Sequence, residues 1–136
     1  MEDKYLFEYA VIRTVPRVER EEFLNVGVVL YCRDQKFLKA RFEVNKDRIR
    51  AFSPNLNMLQ VEEYLNAFEQ ICEGNPKVGA IGLLPAAERF RWLTAPRSTI
   101  LQTSAVHSGF CTDAMEKLNE LYQCLVLISE TDNKVV

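Results

Sequence analysis

YLFEYAVIRTV (Tyr5–Val15), FLNVGVVLYC (Phe23–Cys32) and FLKARFEV (Phe37–Val44) decide the fold. Aromatic and β-branched residues dominate all three, and each reads as a strand. Pro16 closes the first, since a proline supplies no N–H to a ladder. The polar turn Arg33–Lys36 joins the second to the third as a hairpin. In the first strand Tyr9, Val11 and Arg13 share one face, and Ala10, Ile12 and Thr14 the other. Apolar residues on both sides predict a strand covered on both faces along part of its length. Gly27, inside the second strand, predicts a bulge or a close backbone approach.

Outward from these strands the chain turns helical. Arg17–Glu22 is a charged link, and Asn45–Phe52 can form a short helix before the Ser53-Pro54-Asn55 break. Asn57 with Gln60 resembles a capping box, and Val61, Leu65, Phe68 and Cys72 form one stripe of an amphipathic helix that Gly74-Asn75-Pro76 stops. Lys77–Leu84 predicts a loop or a short edge strand. Pro85 suits the first turn of a helix carrying Ala86, Phe90 and Leu93, which Pro96 ends. Thr99–Val106 predicts a fourth strand. Thr112 or Asp113 caps a last helix whose stripe is Met115, Leu118, Tyr122 and Leu125, widened by Leu121 and Ile128; Ser129–Val136 predicts a frayed tail. The expected fold is α+β: a small antiparallel sheet of three to five strands with two main helices packed on one face. It is expected as a single domain spanning 1–136, ordered over about 5–128.

The chain has 136 residues, 48% of them apolar and 26% charged, enough for one real core. A net charge of -2 argues against a whole-surface footprint for nucleic acid while leaving room for a local basic patch. Cys32, Cys72, Cys111 and Cys124 are widely spaced, and His107 is the only histidine, so no metal and no cofactor are expected. The charged opening Met1-Glu2-Asp3-Lys4 is no secretory signal, and no apolar run reaches membrane-spanning length. A cytoplasmic protein with four free thiols is expected.

The polar residues offer few chemical templates. H-x-x-x-H, G-x-S-x-G and a P-loop are all missing. Cys111 and His107 are separated by Gly109, which disfavours a continuous helix that would bring them together. The arginines carry more. Arg13, Arg20, Arg89, Arg91 and Arg97 bring guanidinium forks suited to carboxylate or phosphate, and Ser98 and Thr99 add hydroxyls beside Arg97. The plainer reading pairs Arg13 or Arg89 with Glu8, Glu22 or Glu88 to order the fold. Asn25 in an apolar strand reads as a buried structural amide before a ligand contact. Trp92 reads as core, and His107 as a hydrogen-bonded structural residue before a general acid or base.

Two segments are similar to one known family. They are YAVIRTVP (Tyr9–Pro16) followed by REEFLNVGVVL (Arg20–Leu30), and ERFRWLTAPRST (Glu88–Thr99) continuing through Gln102, Ser104, Val106, His107 and Gly109. Together they resemble the bacterial family catalogued as domain of unknown function 3037. The chain departs from the family pattern at Glu21, where glycine is frequent, and at Asp113-Ala114, where Asp-Pro is frequent. The resemblance implies no activity. It places the family's polar signature on Arg13, Arg20, Asn25, Arg89, Arg97, Ser98, Ser104 and His107, and implies a partner similar to the HipA type of kinase.

The first expectation is a non-catalytic accessory protein that binds a partner protein, with the two segments meeting in one Arg-rich polar cluster. The alternative is a nucleic-acid or nucleotide-phosphate binder in which Arg13, Arg20, Arg89 and Arg97 face one groove. Last comes a hydrolase using His107 with Arg97 and Ser104.

Overall fold

The fold is built around one long strand. A computed structural model describes residues 3–127, so Ile128 and the tail expected at Ser129–Val136 lie outside the described residues. Strand β1 (Tyr5–Thr14) pairs antiparallel with β2 (Leu24–Cys32), which pairs antiparallel with β3 (Phe37–Phe42). On its other edge β1 meets two short antiparallel strands end to end. Its second half pairs with β4 (Leu101–Thr103) and its first half with β5 (His107–Cys111). Strand β5 answers to no expectation from sequence. Gly109 permits it, because a Cβ there would lie 2.9 Å from the ring Cζ of Phe7.

The helices are α1 (Lys46–Phe52), α2 (Met58–Glu73), α3 (Ala86–Thr94) and α4 (Ala114–Leu125). Their starts are capped as the side chains dictate: Asn45, Asn57 and Asp113 each accept main-chain N–H bonds from the first turn. Gly74 ends α2 at φ 73°, the left-handed conformation glycine adopts without strain. Lys77–Leu84, expected as a loop or edge strand, instead coils into two short 3-10 turns, Pro76–Val78 and Ala80–Leu83.

Two apolar layers sandwich the sheet. Ala10, Ile12 and Val29 pack against Val61, Leu65 and Phe68 of α2 and Phe90 and Leu93 of α3. Phe7, Val28, Leu30 and Cys32 pack against Leu118 and Tyr122 of α4. The α+β class and the antiparallel sheet are as expected, but the two main helices, α2 and α4, lie on opposite faces rather than on one. The cause is the two-sided apolar character of β1 and β2, each of which needs cover above and below. In α4 the buried line is Ala114, Leu118 and Tyr122, and Met115 is exposed.

Gly27 performs both tasks its position suggested. The β1–β2 register slips between Ile12 and Arg13, leaving Val26 as a bulge, and a Cβ on Gly27 would lie 2.7 Å from the Arg41 carbonyl oxygen. The slip turns the alternation over. Val26 packs in the α2 layer, and Asn25 swings to the α4 side, where its Nδ2 donates to the Leu125 carbonyl at 3.1 Å.

Candidate functional site

The eight polar signature residues do not gather into one cluster. Arg89 spends its guanidinium on the protein's own main chain: Nε donates to Leu84 O (2.9 Å), and Nη1 to Ile71 O (2.8 Å) and Cys72 O (2.6 Å). It thereby caps the C-terminal end of α2, whose last carbonyls have no partner within the helix. Arg20 pairs with Glu22 on an exposed 3-10 turn. Ser98 is exposed.

Ser104 is the joint of the sheet. Its N–H donates to Val11 O (2.9 Å), while its Oγ accepts from Val11 N–H (2.8 Å) and donates to Ala105 O (2.9 Å). The side chain thus replaces the main-chain acceptor that β1 would lose where β4 stops and β5 has not begun. His107 opens β5 on the exposed surface, with its ring 5.4 Å from that of Tyr9. His107 and Cys111 lie at opposite ends of one strand, so about 13 Å of extended chain separates them.

Arg13 and Asn25 are brought together. They face each other across the β1–β2 pairing, and Arg13 lays its guanidinium over the Phe23 ring, 3.9 Å from the centroid. Among the described residues, Arg13 Nε and Asn25 Oδ1 are shielded from solvent without a hydrogen-bond partner, as is Thr14 Oγ1 on the other face. A buried donor or acceptor left unpaired costs about 1–3 kcal/mol.

Arg97 marks a different place. Between α2, α3 and β4 runs an almost wholly apolar groove of about 150 Å³. Tyr64 and Phe68 of α2, Trp92 and Leu93 of α3, and Leu101 and Thr103 of β4 form its walls. Phe68, Leu93 and Leu101 are core residues, so the floor of the groove is the core itself. Trp92, expected in the core, is 39% exposed at the rim. Pro96 stops the helix, and the chain doubles back so that Arg97 lies over the indole, 4.4 Å from ring centroid to guanidinium carbon, with Nη2 donating to the Trp92 carbonyl. A cation on an indole face is held by the ring quadrupole. Among the described residues no carboxylate pairs with Arg97.

The family described as Protein of unknown function (DUF3037) matches residues 9–126. The chain belongs to this family. The DUF3037 match takes in both segments on which the resemblance rested, and with them the whole groove, Ser104 and the Arg13–Asn25 pair. No curated protein and no solved structure matches the chain at a significant level.

The α2 wall of this DUF3037 groove escaped the sequence reading. Tyr64, Ala67 and Ile71 fall at steps of three and four, a second apolar line beside Val61, Leu65, Phe68 and Cys72. An amphipathic helix with two such lines has more apolar surface than one sheet face needs, and that surplus was the available signal. Elsewhere, burial in the α2 layer pushes the Cys72 thiol up to about 12, and burial likewise raises Cys111 and Tyr122 on the α4 side. No helix of the described residues is long and apolar enough to cross a membrane.

Proposed function

We propose that this protein is a non-catalytic interaction module, an accessory protein whose Trp92 groove receives an apolar side chain of a partner protein. One observation carries the reading. A guanidinium without an acidic partner is stacked on an exposed tryptophan at the mouth of an apolar groove. Trp, Tyr and Arg are the residues most enriched where protein interfaces concentrate their binding energy. Arg97 is the one charged side chain among the groove's lining residues, so the complementary partner segment carries an aromatic or large aliphatic side chain next to an Asp or Glu. The volume suits one such side chain, since an apolar cavity of about 150 Å³ can hold a benzene ring. A kinase similar to the HipA type, the partner implied by the family resemblance, is the first candidate, and a cytoplasmic setting is part of the same proposal.

The test is co-purification from the native host with wild type, Trp92→Ala and Arg97→Glu, each first shown to fold. The proposal expects one protein partner that both variants lose. A partner retained by both variants would contradict it.

The nucleic-acid or nucleotide-phosphate reading stays second. Its support was four arginines on one groove, and Arg13, Arg20, Arg89 and Arg97 occupy separate places in the fold. A nuclease-sensitive yield with a steep loss at added salt would revive it. The hydrolase reading ranks last, because Ser104 Oγ already has a donor and an acceptor within the protein.

A further inference from the structure

We propose that Arg13 and Asn25 form a second site, on the other face of the sheet from the groove and independent of it. It binds a carboxylate with an N–H donor close by, the arrangement found in an N-acyl amino acid and at a peptide C-terminus. The two orphaned atoms are complementary. Arg13 Nε can only donate, and Asn25 Oδ1 can only accept. Asn25 cannot offer its own donor as freely, since Nδ2 is engaged by the Leu125 carbonyl at 3.1 Å. The bulge at Val26 is what turns Asn25 to Arg13's side of the sheet. The backbone therefore departs from a regular ladder to set a free donor and a free acceptor at neighbouring positions.

A ligand completing both must accept from the guanidinium and donate to the amide oxygen. A planar carboxylate takes Nε–H and the adjacent Nη–H as two parallel bonds. An amide N–H a few atoms away then reaches Oδ1. A phosphate monoester dianion has acceptor oxygens alone and would turn one toward Oδ1, so the site discriminates against it. Among the described residues no carboxylate neutralises Arg13. Phe23, 45% exposed and stacked 3.9 Å from the guanidinium, covers Arg13, so a ligand enters by displacing its ring.

The test is an NMR titration of the full chain, following the Arg13 Nε–H and Asn25 side-chain amide signals. The probes are N-acetylglycine, acetate and methyl phosphate at equal ionic strength and about pH 7.5, where the monoester is a dianion. N-acetylglycine is expected to move both signals saturably and to bind about tenfold or more tighter than acetate or methyl phosphate. Arg13→Lys keeps the charge but loses the fork, and is expected to abolish this preference. Asn25→Asp, which sets a negative charge beside the carboxylate, is expected to abolish binding if its backbone spectrum shows it folded. A short peptide with a free C-terminus separates the two sources. Tighter binding than N-acetylglycine assigns the site to a chain terminus, and equal or weaker binding assigns it to the small acid. Equal binding of the three probes, or of the C-terminally amidated peptide, would overturn the proposal. So would a through-hydrogen-bond coupling in the free protein showing that Arg13 Nε–H and Asn25 Oδ1 pair with each other.

Discussion

Arg89 Nη1 lies 2.6 Å from the carbonyl oxygen of Cys72 and donates to it, so a residue that resembles a ligand-binding arginine in sequence is the C-terminal cap of α2. The same guanidinium reaches Ile71 and Leu84, locking α2, the 3-10 turn and α3 into one unit. Arg89→Ala is expected to cost about 3 kcal/mol in chemical denaturation, because several charge-assisted bonds go at once. Arg89→Lys should recover only part of this, since an ammonium cannot span the three carbonyls as a planar fork does. Loss of binding in Arg89→Ala without loss of stability would show that the capping role is wrong.

Ser104→Ala removes the acceptor for a buried main-chain N–H at Val11. The expected cost is about 1–3 kcal/mol, with hydrogen exchange at the Val11 amide accelerated more than at Ala10 or Ile12. Uniform acceleration along β1 would place the effect elsewhere.

Glu21 sits at φ 57°, in the left-handed region where a side chain is strained and glycine is not. Glu21→Gly is expected to stabilise the fold by about 0.5 kcal/mol, the relief of strain outweighing the extra freedom of the unfolded chain. A denaturation midpoint that falls instead would show that Glu21 has contacts worth more than its strain.

Cys72 links stability to alkaline pH. Its thiol ionises near 9 when exposed and is pushed up to about 12 in the fold by burial. The raised folded value means its contribution is complete below pH 9, where both states are neutral. It is lost as pH rises from about 9 toward 12, where only the unfolded chain ionises, at about 1.4 kcal/mol per pH unit. Denaturation curves from pH 8 to about 10.5 should therefore fall more steeply for wild type than for Cys72→Ala. Parallel curves would place the thiol in a more solvated setting.

Much of this architecture is legible in the chain. The β-branched runs at β1, β2 and β3 mark strands by composition alone, and the Asn57 cap, the Val61–Cys72 stripe and Gly74 bracket α2 nearly to the residue. Gly27 announces the bulge because glycine inside a β-branched strand needs a reason. What stays hidden is relational. Nothing local says that α4 crosses to the far face, although the two-sided apolar pattern of β1 hints that something must. Strand β5 is invisible because Gly109 and the polar His107 and Ser108 lower its strand propensity, and only the Phe7 ring explains the glycine. The candidate site divides in the same way. Residue type finds the arginines, but a cap, an ion pair and a free fork look alike until their partners are known. Trp92 reads as core because tryptophans usually are, and only the fold shows it at the rim beside Arg97.

The most direct measurement is photo-crosslinking in the native host, with a photoreactive residue at Ala67 inside the groove and, as a control, at exposed Ser108 on β5. A docking groove predicts a single protein adduct from position 67 that disappears on Trp92→Ala and on Arg97→Glu, and is not obtained from position 108. A partner that crosslinks from position 108 and not from 67, or an adduct at 67 untouched by both substitutions, would contradict the assignment of the Trp92 groove as the binding surface.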